Sequence, residues 1–314
     1  MHWKTVLAAS RPKFLCLAPV CVCLGASASH SFGNVDSEMR SLSPALFLAC
    51  LILAALAHAA VNLLNEYADA KSRLDEHTIK TPFSGGSGAL QTNPQALHTV
   101  FLAGLWCILV CVLIGSYIIY EIAHLRMFLL VLGIVGLTLV ISYTPWINRS
   151  AVLCFLAPGL GFGIVITGGT YAVLSAHMHA NFLNMVTAPI MLLCSLVFLQ
   201  VNNLLLINQF PDAVADKRAG RNHMVIKYGY KTCAGLFAIS SLGIYTIAYA
   251  LWQLDYLPDV ALICFIGIPF SIEIFRRAYC FKPNMLAHFL PAMALNVILS
   301  LLIPIALAII LYVS

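Results

Sequence analysis

The sequence predicts an all-α membrane protein, a bundle of nine transmembrane helices that carries two Asp-rich loops on its cytoplasmic side. Of the 314 residues, 61% are apolar and 9% are charged, whereas a water-soluble domain has about 25% charged residues. The apolar residues form long runs, and most charged residues lie between those runs. This composition excludes a soluble globular enzyme, a disordered chain and a nucleic-acid-binding protein.

Nine apolar runs are candidates for crossing a bilayer, which takes about 20 residues per helix. The fifth run contains Gly159-x-x-x-Gly163, a spacing that favours close helix packing. We expect one membrane domain that covers residues 1–314. In chain order, the nine runs cover residues 14–29, 43–64, 97–119, 126–143, 152–175, 181–207, 233–253, 258–275 and 288–312.

The basic residues are distributed unevenly between alternate loops. Fifteen of the 17 Lys and Arg residues lie before the first run or after the second, fourth, sixth and eighth runs. Cytoplasmic loops carry an excess of Lys and Arg, so we predict a cytoplasmic N-terminus. Residues 1–29 also resemble a cleavable signal peptide, because a basic start and an apolar run precede Ala26-Ser27-Ala28. That alternative leaves the remaining topology unchanged.

Two polar segments on the predicted cytoplasmic side contain the candidate functional residues. They cover about residues 62–96 and 202–232, and each starts near the end of an apolar run. In the first segment, Asn65, Asp69 and Arg73 are four residues apart and therefore share one face of a helix.

The second polar segment repeats this spacing with Asn208, Asp212 and Asp216. Pro211 lies within it and is expected to open or kink the helix, because proline lacks a backbone donor. In the first segment, Asp75 follows Asp69 by six residues, so the chain must turn before Asp75 joins the same face.

Carboxylates in this pattern indicate a divalent cation. Like charges four residues apart destabilise a helix, and Mg²⁺ binds through one or two carboxylates together with substrate phosphate oxygens. Two such clusters that face each other would hold two Mg²⁺ ions bridged by a diphosphate. The alternative is a pair of solvated loops in which Asp and Lys pair, but the shared N-x-x-x-D start favours a site. Nearby basic residues would neutralise the phosphate charge: Lys71, Arg73, Lys80, Lys217, Arg218 and Arg221.

At these residues the sequence resembles the UbiA superfamily of intramembrane prenyltransferases. Its members have nine transmembrane helices and two motifs, N-D-x-x-D-x-x-x-D and D-x-x-x-D, and the resemblance covers nearly the whole chain. The stretch from Asn62 to Asp69, with Asp75 beyond it, is most similar to the menaquinone branch, the dihydroxynaphthoate prenyltransferases. Three further stretches are also similar to that branch: Arg11-Pro12-Lys13, Tyr143-Thr144-Pro145, and Gly220-Arg221 followed by Val225-Ile226-Lys227-Tyr228-Gly229.

Three positions depart from the pattern of that branch. Glu66 stands where Asp is usual, which keeps a carboxylate but lengthens its reach. Pro211 stands where Arg is usual before the Asp, and Ala157-Pro158 replaces a Gly-Glu pair. These departures concern the acceptor more than the diphosphate chemistry.

The resemblance implies Mg²⁺-dependent transfer of a prenyl group from a prenyl diphosphate to an aromatic acceptor, for which 1,4-dihydroxy-2-naphthoate is the best guess. It implies that the catalytic, metal-binding carboxylates are Asp69, Asp75, Asp212 and Asp216. Asn65 and Asn208 would act as further ligands or as donors to phosphate oxygens. The expected surroundings are the lipid bilayer, in a bacterial inner (plasma) membrane with the site facing the cytoplasm; the oligomeric state is left open.

Several further residues have two interpretations each. Tyr143 would stabilise the allylic cation through its ring face or anchor the chain at the membrane interface. Arg11 and Arg149 would hold an acceptor carboxylate or simply satisfy the excess of positive charge on the cytoplasmic side. The Gly-rich residues 84–88 would cradle a phosphate or form a lid.

Two other classes of membrane protein are weaker alternatives. A CDP-alcohol phosphatidyltransferase also presents Asp-rich helix ends, but its D-G-x-x-A-R core is absent from this sequence. A transporter is expected to bury ionisable residues near the middle of the bilayer. Here the acids cluster near the ends of the apolar runs, and Glu273 lies near the cytoplasmic end of its run.

Overall fold

The chain folds almost entirely into helices, as the apolar runs predict. The computed structural model describes residues 2–32, 43–74, 78, 80–176 and 185–314. Within these ranges it has fourteen α-helices, one π-helical segment and several 3₁₀ turns, with no β-strand. Asp75 lies outside the described residues.

The α-helices are numbered here in chain order, and the π segment (Leu160–Gly168) joins α8 to α9. Their bounds are α1 Trp3–Ala9, α2 Pro12–Leu15, α3 Leu17–Phe32, α4 Pro44–Ser72, α5 Ala89–Thr92, α6 Leu97–Glu121, α7 Arg126–Ser142, α8 Ala151–Gly159, α9 Gly169–Ser175, α10 Ala188–Arg218, α11 Met224–Tyr228, α12 Tyr230–Gln253, α13 Gly267–Tyr279 and α14 Leu286–Val313.

In the described part of the chain, eight helical segments are long and apolar enough to cross a membrane. The eighth predicted run, residues 258–275, is a broken helix: a 3₁₀ helix, Asp259–Ile266, leads into α13. At about 2.0 Å per residue in the 3₁₀ part and 1.5 Å in the α part, the two pieces have a combined length of about 35 Å. The eight apolar helices and this less apolar one agree with the predicted nine-helix bundle.

The helices α3 and α10 lie in the middle of the bundle. The first packs against α4, α9, α14 and the π segment, and the second packs against α8, α12, α14 and the π segment. Glycines permit the close approaches: a Cβ on Gly25 would lie 2.5 Å from the carbonyl oxygen of Thr167. A Cβ on Gly159 would lie 2.6 Å from the carbonyl oxygen of Phe198. The close packing predicted for Gly159-x-x-x-Gly163 is therefore confirmed.

The π segment begins at Leu160, two residues after Pro158, which has no backbone N–H to donate. The next N–H, of Gly159, donates to the Asn202 side chain of α10 at 2.7 Å, so the irregular backbone is partly satisfied from a neighbouring helix. π-Helical turns are rare and often lie at functional sites. This one forms part of the wall of the cavity described below through Gly161, Phe162 and Val165.

Two helices are longer than their apolar runs. The runs end near residues 64 and 207, whereas α4 continues to Ser72 and α10 to Arg218. The Asp-bearing stretches are therefore the last turns of two helices and not loops, which makes their side-chain positions regular. Pro211 lies inside α10, so it does not open a new helix; the alternative, that it kinks the helix, stays a prediction.

Candidate active site

The ends of α4 and α10 form the polar part of a cavity of about 490 Å³. The polar part of the wall includes Asn65 and Asp69 from α4, with Asn208, Asp212 and Asp216 from α10. The rest of the wall comes mainly from apolar residues of α4, α6, α7, α8, the π segment and α10. The cavity therefore has a charged end and a long apolar end, as the predicted amphiphilic substrate requires.

Arg221 joins the two Asp-bearing helix ends. Its Nη1 donates to Asp216 Oδ1 at 2.9 Å, and its Nη2 donates to Asn65 Oδ1 at 3.2 Å and also to Asp69 Oδ1. Asn65 in turn donates to Asp69 Oδ2 at 3.1 Å, which is the i, i+4 contact that the spacing predicts. The two motifs thus lie on opposite sides of a single guanidinium.

The guanidinium of Arg221 stays protonated because of its neighbours. Burial alone would lower the pKa of Arg221, but the neighbouring Asp69 and Asp216 carboxylates raise it above its ordinary value. Arg221 therefore remains a cation at every physiological pH. Fork-shaped donors of this kind suit both carboxylate and phosphate groups.

Two oxygen atoms on α10 remain unused in the network. Asp212 Oδ2 accepts the backbone N–H of Gly85 at 3.3 Å, while Asp212 Oδ1 is buried without a hydrogen-bond partner among the described residues. The Asn208 Oδ1 atom is also buried, and the described part of the chain offers it no partner. Buried oxygens without donors are costly, so this end of the site is suited to a further cation or donor.

Glu66, the departure from the usual Asp, is fully buried and points away from the Arg221 network toward other partners. It accepts Arg11 Nη2 at 3.2 Å and the backbone N–H of Ser87 at 3.1 Å. Arg11 has a left-handed backbone, φ 55°, which costs a non-glycine residue about 1–2 kcal/mol. Glu66 therefore ties the N-terminal segment and the Gly-rich loop to α4.

The Gly-rich loop, residues 84–88, lies across the charged end of the cavity. Gly85, Gly86 and Gly88 all have positive φ, between 74° and 84°, which glycine adopts without strain. The loop is fastened by Gly85 to Asp212 and by Ser87 to Glu66. It thus contacts both Asp-bearing helices, a position compatible with either of the two roles considered for it.

The structure brings most of the predicted site residues together, although not all of them. Those that line the cavity are Asn65, Asp69, Asn208, Asp212, Asp216, Arg221, Tyr143 and Arg11. The predicted residues that are exposed and do not form its wall are Lys71, Arg73, Lys80, Lys217 and Arg149. Lys71 lies over the Tyr67 ring at 5.9 Å, and Lys80 contacts the Gln91 side chain.

Sequence reasoning missed several polar residues of the cavity wall, among them Asn148 and His223. Both are buried, and His223 Nε2 lies 3.2 Å from Asp216 Oδ2. The sequence signal was weak, since each is a single polar residue in a short connection. The position of His223, two residues after Arg221, was the one available indication.

The apolar part of the cavity reaches the outer surface of the bundle. Val112, Leu130 and Ile134 line the cavity and are also among the exposed large apolar residues. Exposed apolar side chains on transmembrane helices face lipid. A long hydrocarbon tail therefore has a continuous apolar path from the charged end to the bilayer.

The donor set suits a hard cation. In the described residues, no three His, Cys, Asp or Glu side chains converge as a ready metal site, because the Arg221 guanidinium lies between Asp69 and Asp216. The available donors are nevertheless carboxylate and amide oxygens, and Asp212 Oδ1 and Asn208 Oδ1 have no partner among the residues described. Mg²⁺ prefers such oxygens together with phosphate oxygens, so the residues fit this ion.

Comparison with known proteins agrees with this arrangement. The model of the UbiA prenyltransferase family matches residues 16–291. The 1,4-dihydroxy-2-naphthoate octaprenyltransferase of Bacillus subtilis (strain 168) is 27% identical over 240 residues, which are 76% of this chain and 70% of that protein.

Solved structures show the same fold. An apo UbiA homologue from Aeropyrum pernix K1 has a TM-score of 0.72 at 16% identity, covering 96% of this chain and 98% of that one. A UbiA homologue from Archaeoglobus fulgidus, solved with DMAPP and Mg²⁺, has a TM-score of 0.61 at 16% identity over 99% of each chain. The helical bundle thus has a known fold.

Proposed function

The chain belongs to the UbiA prenyltransferase family and is an integral membrane prenyltransferase, and from this premise we propose its reaction. It transfers a prenyl group from a prenyl diphosphate to an aromatic quinone precursor, with Mg²⁺ as cofactor and 1,4-dihydroxy-2-naphthoate as the best acceptor. The observation that carries the proposal is the pair of Asp-bearing helix ends, bridged by Arg221, at the charged end of an apolar cavity. The named relative from Bacillus subtilis supports the acceptor.

The metal would be held by the oxygen donors of the two helix ends, Asp69, Asp212 and Asp216, with Asn65 and Asn208 beside them. We keep Asp75 as a further proposed ligand, on the sequence pattern alone. When bound, Mg²⁺ supplies positive charge to the diphosphate leaving group. The ligands of the Archaeoglobus fulgidus homologue, DMAPP and Mg²⁺, support this assignment.

The chain's own residues would perform the remaining tasks. Arg221 binds phosphate oxygens through its guanidinium group. Arg11, which lines the cavity and is paired with Glu66, stays the candidate partner of an acceptor carboxylate. The apolar wall holds the prenyl tail and keeps water away from the allylic cation, which water would otherwise capture. Tyr143, partly buried at the cavity wall, presents an aromatic ring to that cation, and a carboxylate of the site accepts the proton that the acceptor releases.

The proposed orientation places this site on the cytoplasmic side. The N-terminal segment reaches the site through Arg11, and most Lys and Arg residues lie in the loops assigned to that side. Because basic residues are retained on the cytoplasmic side of a membrane, the anionic donor would enter from the cytoplasm of a bacterial inner membrane.

The test is a prenyl-transfer assay with purified protein, farnesyl or geranylgeranyl diphosphate, 1,4-dihydroxy-2-naphthoate and Mg²⁺. We expect product with Mg²⁺ and none in excess EDTA. Asp212→Asn should lower kcat by about 100-fold, which is the usual effect of removing a group that stabilises charge in the transition state. Glu273→Gln, which alters an acid paired with Arg276 and Arg277 outside the cavity, should keep wild-type turnover. Full turnover in EDTA would remove the metal from the proposal.

A further inference from the structure

A second polar cluster lies in the cavity wall beside the Arg221 network. Asn148 belongs to the 3₁₀ turn Ile147–Arg149, and His223 immediately precedes α11. The backbone N–H of Asn222 donates to the Asn148 carbonyl oxygen at 2.9 Å, which joins these two connections. Asn148 is 7% exposed and His223 is 2% exposed, so both residues are buried.

The side chains of this cluster have unused hydrogen-bonding atoms. His223 Nε2 lies 3.2 Å from Asp216 Oδ2, although not in hydrogen-bond geometry. Neither ring nitrogen of His223, nor Asn148 Oδ1, has a hydrogen-bond partner within the described ranges. Buried polar atoms are normally paired, because an unpaired one loses its hydration without compensation. The cluster therefore lacks a partner that a ligand would supply.

The missing partner has a definite chemistry. An imidazole ring that carries one proton has one donor nitrogen and one acceptor nitrogen. Asn148 Oδ1 is an acceptor as well, and both residues line the cavity, so the cluster can accept hydrogen bonds from a bound group. A hydroxyl group donates to such atoms, whereas an ionised carboxylate is acceptor-only. Of the two predicted partners of an acceptor carboxylate, Arg149 is exposed and does not line the cavity, whereas Arg11 lines it.

We propose that His223 and Asn148 form the subsite for a ring hydroxyl of the aromatic acceptor, an assignment that rests on the proposed function. Because Asp216 contacts both Arg221 and His223, the hydroxyl-bearing ring is placed next to the charged end, where the allylic carbon of the donor would lie. The two residues thereby select hydroxylated aromatic rings and orient them toward the donor.

A binding measurement without donor or metal tests the subsite. Radiolabelled 1,4-dihydroxy-2-naphthoate is displaced from the purified protein, under anaerobic conditions, by 1,4-dihydroxynaphthalene or by 1,4-difluoronaphthalene. The two competitors are similar in size, but only the first donates hydrogen bonds. We expect the wild type to bind the diol at least about tenfold more tightly than the difluoro compound, because one good hydrogen bond to a buried group contributes about this much to affinity.

The variants separate recognition from general structure. His223→Phe and Asn148→Leu should each reduce the preference for the diol by about tenfold while leaving the affinity for the difluoro compound nearly unchanged. His223→Gln, whose amide keeps one donor and one acceptor, should retain much of the preference. Trp146→Leu, at an exposed residue of the same connection, serves as the matched control and should behave as the wild type.

The outcomes distinguish this inference from the proposed function. The subsite would be overturned if the wild type bound both competitors equally, or if the variants lost affinity for both competitors to the same extent. This holds even where prenyl transfer is intact. A wild type that prefers the diol but prenylates no aromatic acceptor would refute the proposed function and leave the hydroxyl subsite standing. In a turnover assay, the variants should raise the KM of the acceptor and not that of the prenyl diphosphate.

Discussion

The guanidinium of Arg221 donates a hydrogen bond to the carboxylate of Asp69, a residue 152 positions earlier in the chain. It also donates to Asp216 on α10, so one cation neutralises carboxylates from both Asp-bearing helices. Phosphate groups are equally good partners for this fork of donors. Under the proposed function, we therefore expect the diphosphate of the donor to compete with these carboxylates for Arg221.

Removal of this cation should make the stability of the protein depend on the metal. In Arg221→Ala, the buried Asp69 and Asp216 carboxylates lose their counter-ion, a change that costs on the order of 3 kcal/mol. We expect the melting temperature of the variant to fall in EDTA and to recover with Mg²⁺. The difference in melting temperature between Mg²⁺ and EDTA should be larger for the variant than for the wild type. Thermal unfolding in detergent measures this. Arg126→Ala, at an exposed position, is the control, and an equal EDTA effect in all three proteins would contradict the prediction.

Loss of the Glu66 carboxylate should release two segments at once. Glu66→Ala leaves the Arg11 guanidinium and the Ser87 N–H without their partner, which should destabilise the protein by about 3 kcal/mol. We expect a protease to cleave within residues 84–88 faster in the variant than in the wild type. Mass spectrometry of the fragments identifies the cleavage sites. Glu121→Ala, at the exposed end of α6, should leave the digestion unchanged. Wild-type protection of the loop in Glu66→Ala would show that other contacts hold it.

Neighbouring glycines in the π segment should differ sharply in their tolerance of alanine. A Cβ on Gly163 would lie 2.6 Å from the Cys194 carbonyl oxygen and 2.9 Å from the Phe198 nitrogen, both backbone atoms of α10. Gly163→Ala should therefore cost about 1–3 kcal/mol. Gly161, whose Cβ would meet nothing within 4 Å, should accept alanine without loss. Equal melting temperatures for the two variants would argue against the close approach at Gly163.

A larger side chain at Gly161 should change the preference for donor length. Gly161 lines the apolar part of the cavity, and the space beside it is open. We expect Gly161→Leu to lower kcat/KM for geranylgeranyl diphosphate by more than about tenfold relative to dimethylallyl diphosphate, because the longer tail loses its room. Gly235→Leu also adds a side chain in open space, but away from the cavity, and is the matched control. Parallel losses for both donors would mean that the tail takes another path.

Much of the site was predictable because helical spacing is a local property. The four-residue interval between Asn65 and Asp69 predicts their contact, and the structure has it at 3.1 Å. Glu66 is adjacent in sequence to Asn65 but is turned by about 100° around the helix, and nothing local indicates what it meets there. Its partners, Arg11 and Ser87, come from other parts of the chain.

Periodicity also failed where the backbone is irregular. The predicted eighth run divides into a 3₁₀ helix and α13, and the fifth contains the π segment after Pro158. Apolar composition requires that such runs be helical in a membrane, but it does not distinguish 3.0, 3.6 or more residues per turn. Contacts with neighbouring helices, such as that between Gly159 and Asn202, decide the local form.

The sequence by itself determined that this protein is a bundle of membrane helices with two Asp-bearing ends, because apolar runs and short-range spacing act within one helix at a time. Tertiary structure alone decided that Arg221 lies between those ends, that Glu66 holds the N-terminal segment and that His223 faces the cavity. Each of these contacts joins residues from different helices or loops, and its geometry depends on how the helices pack.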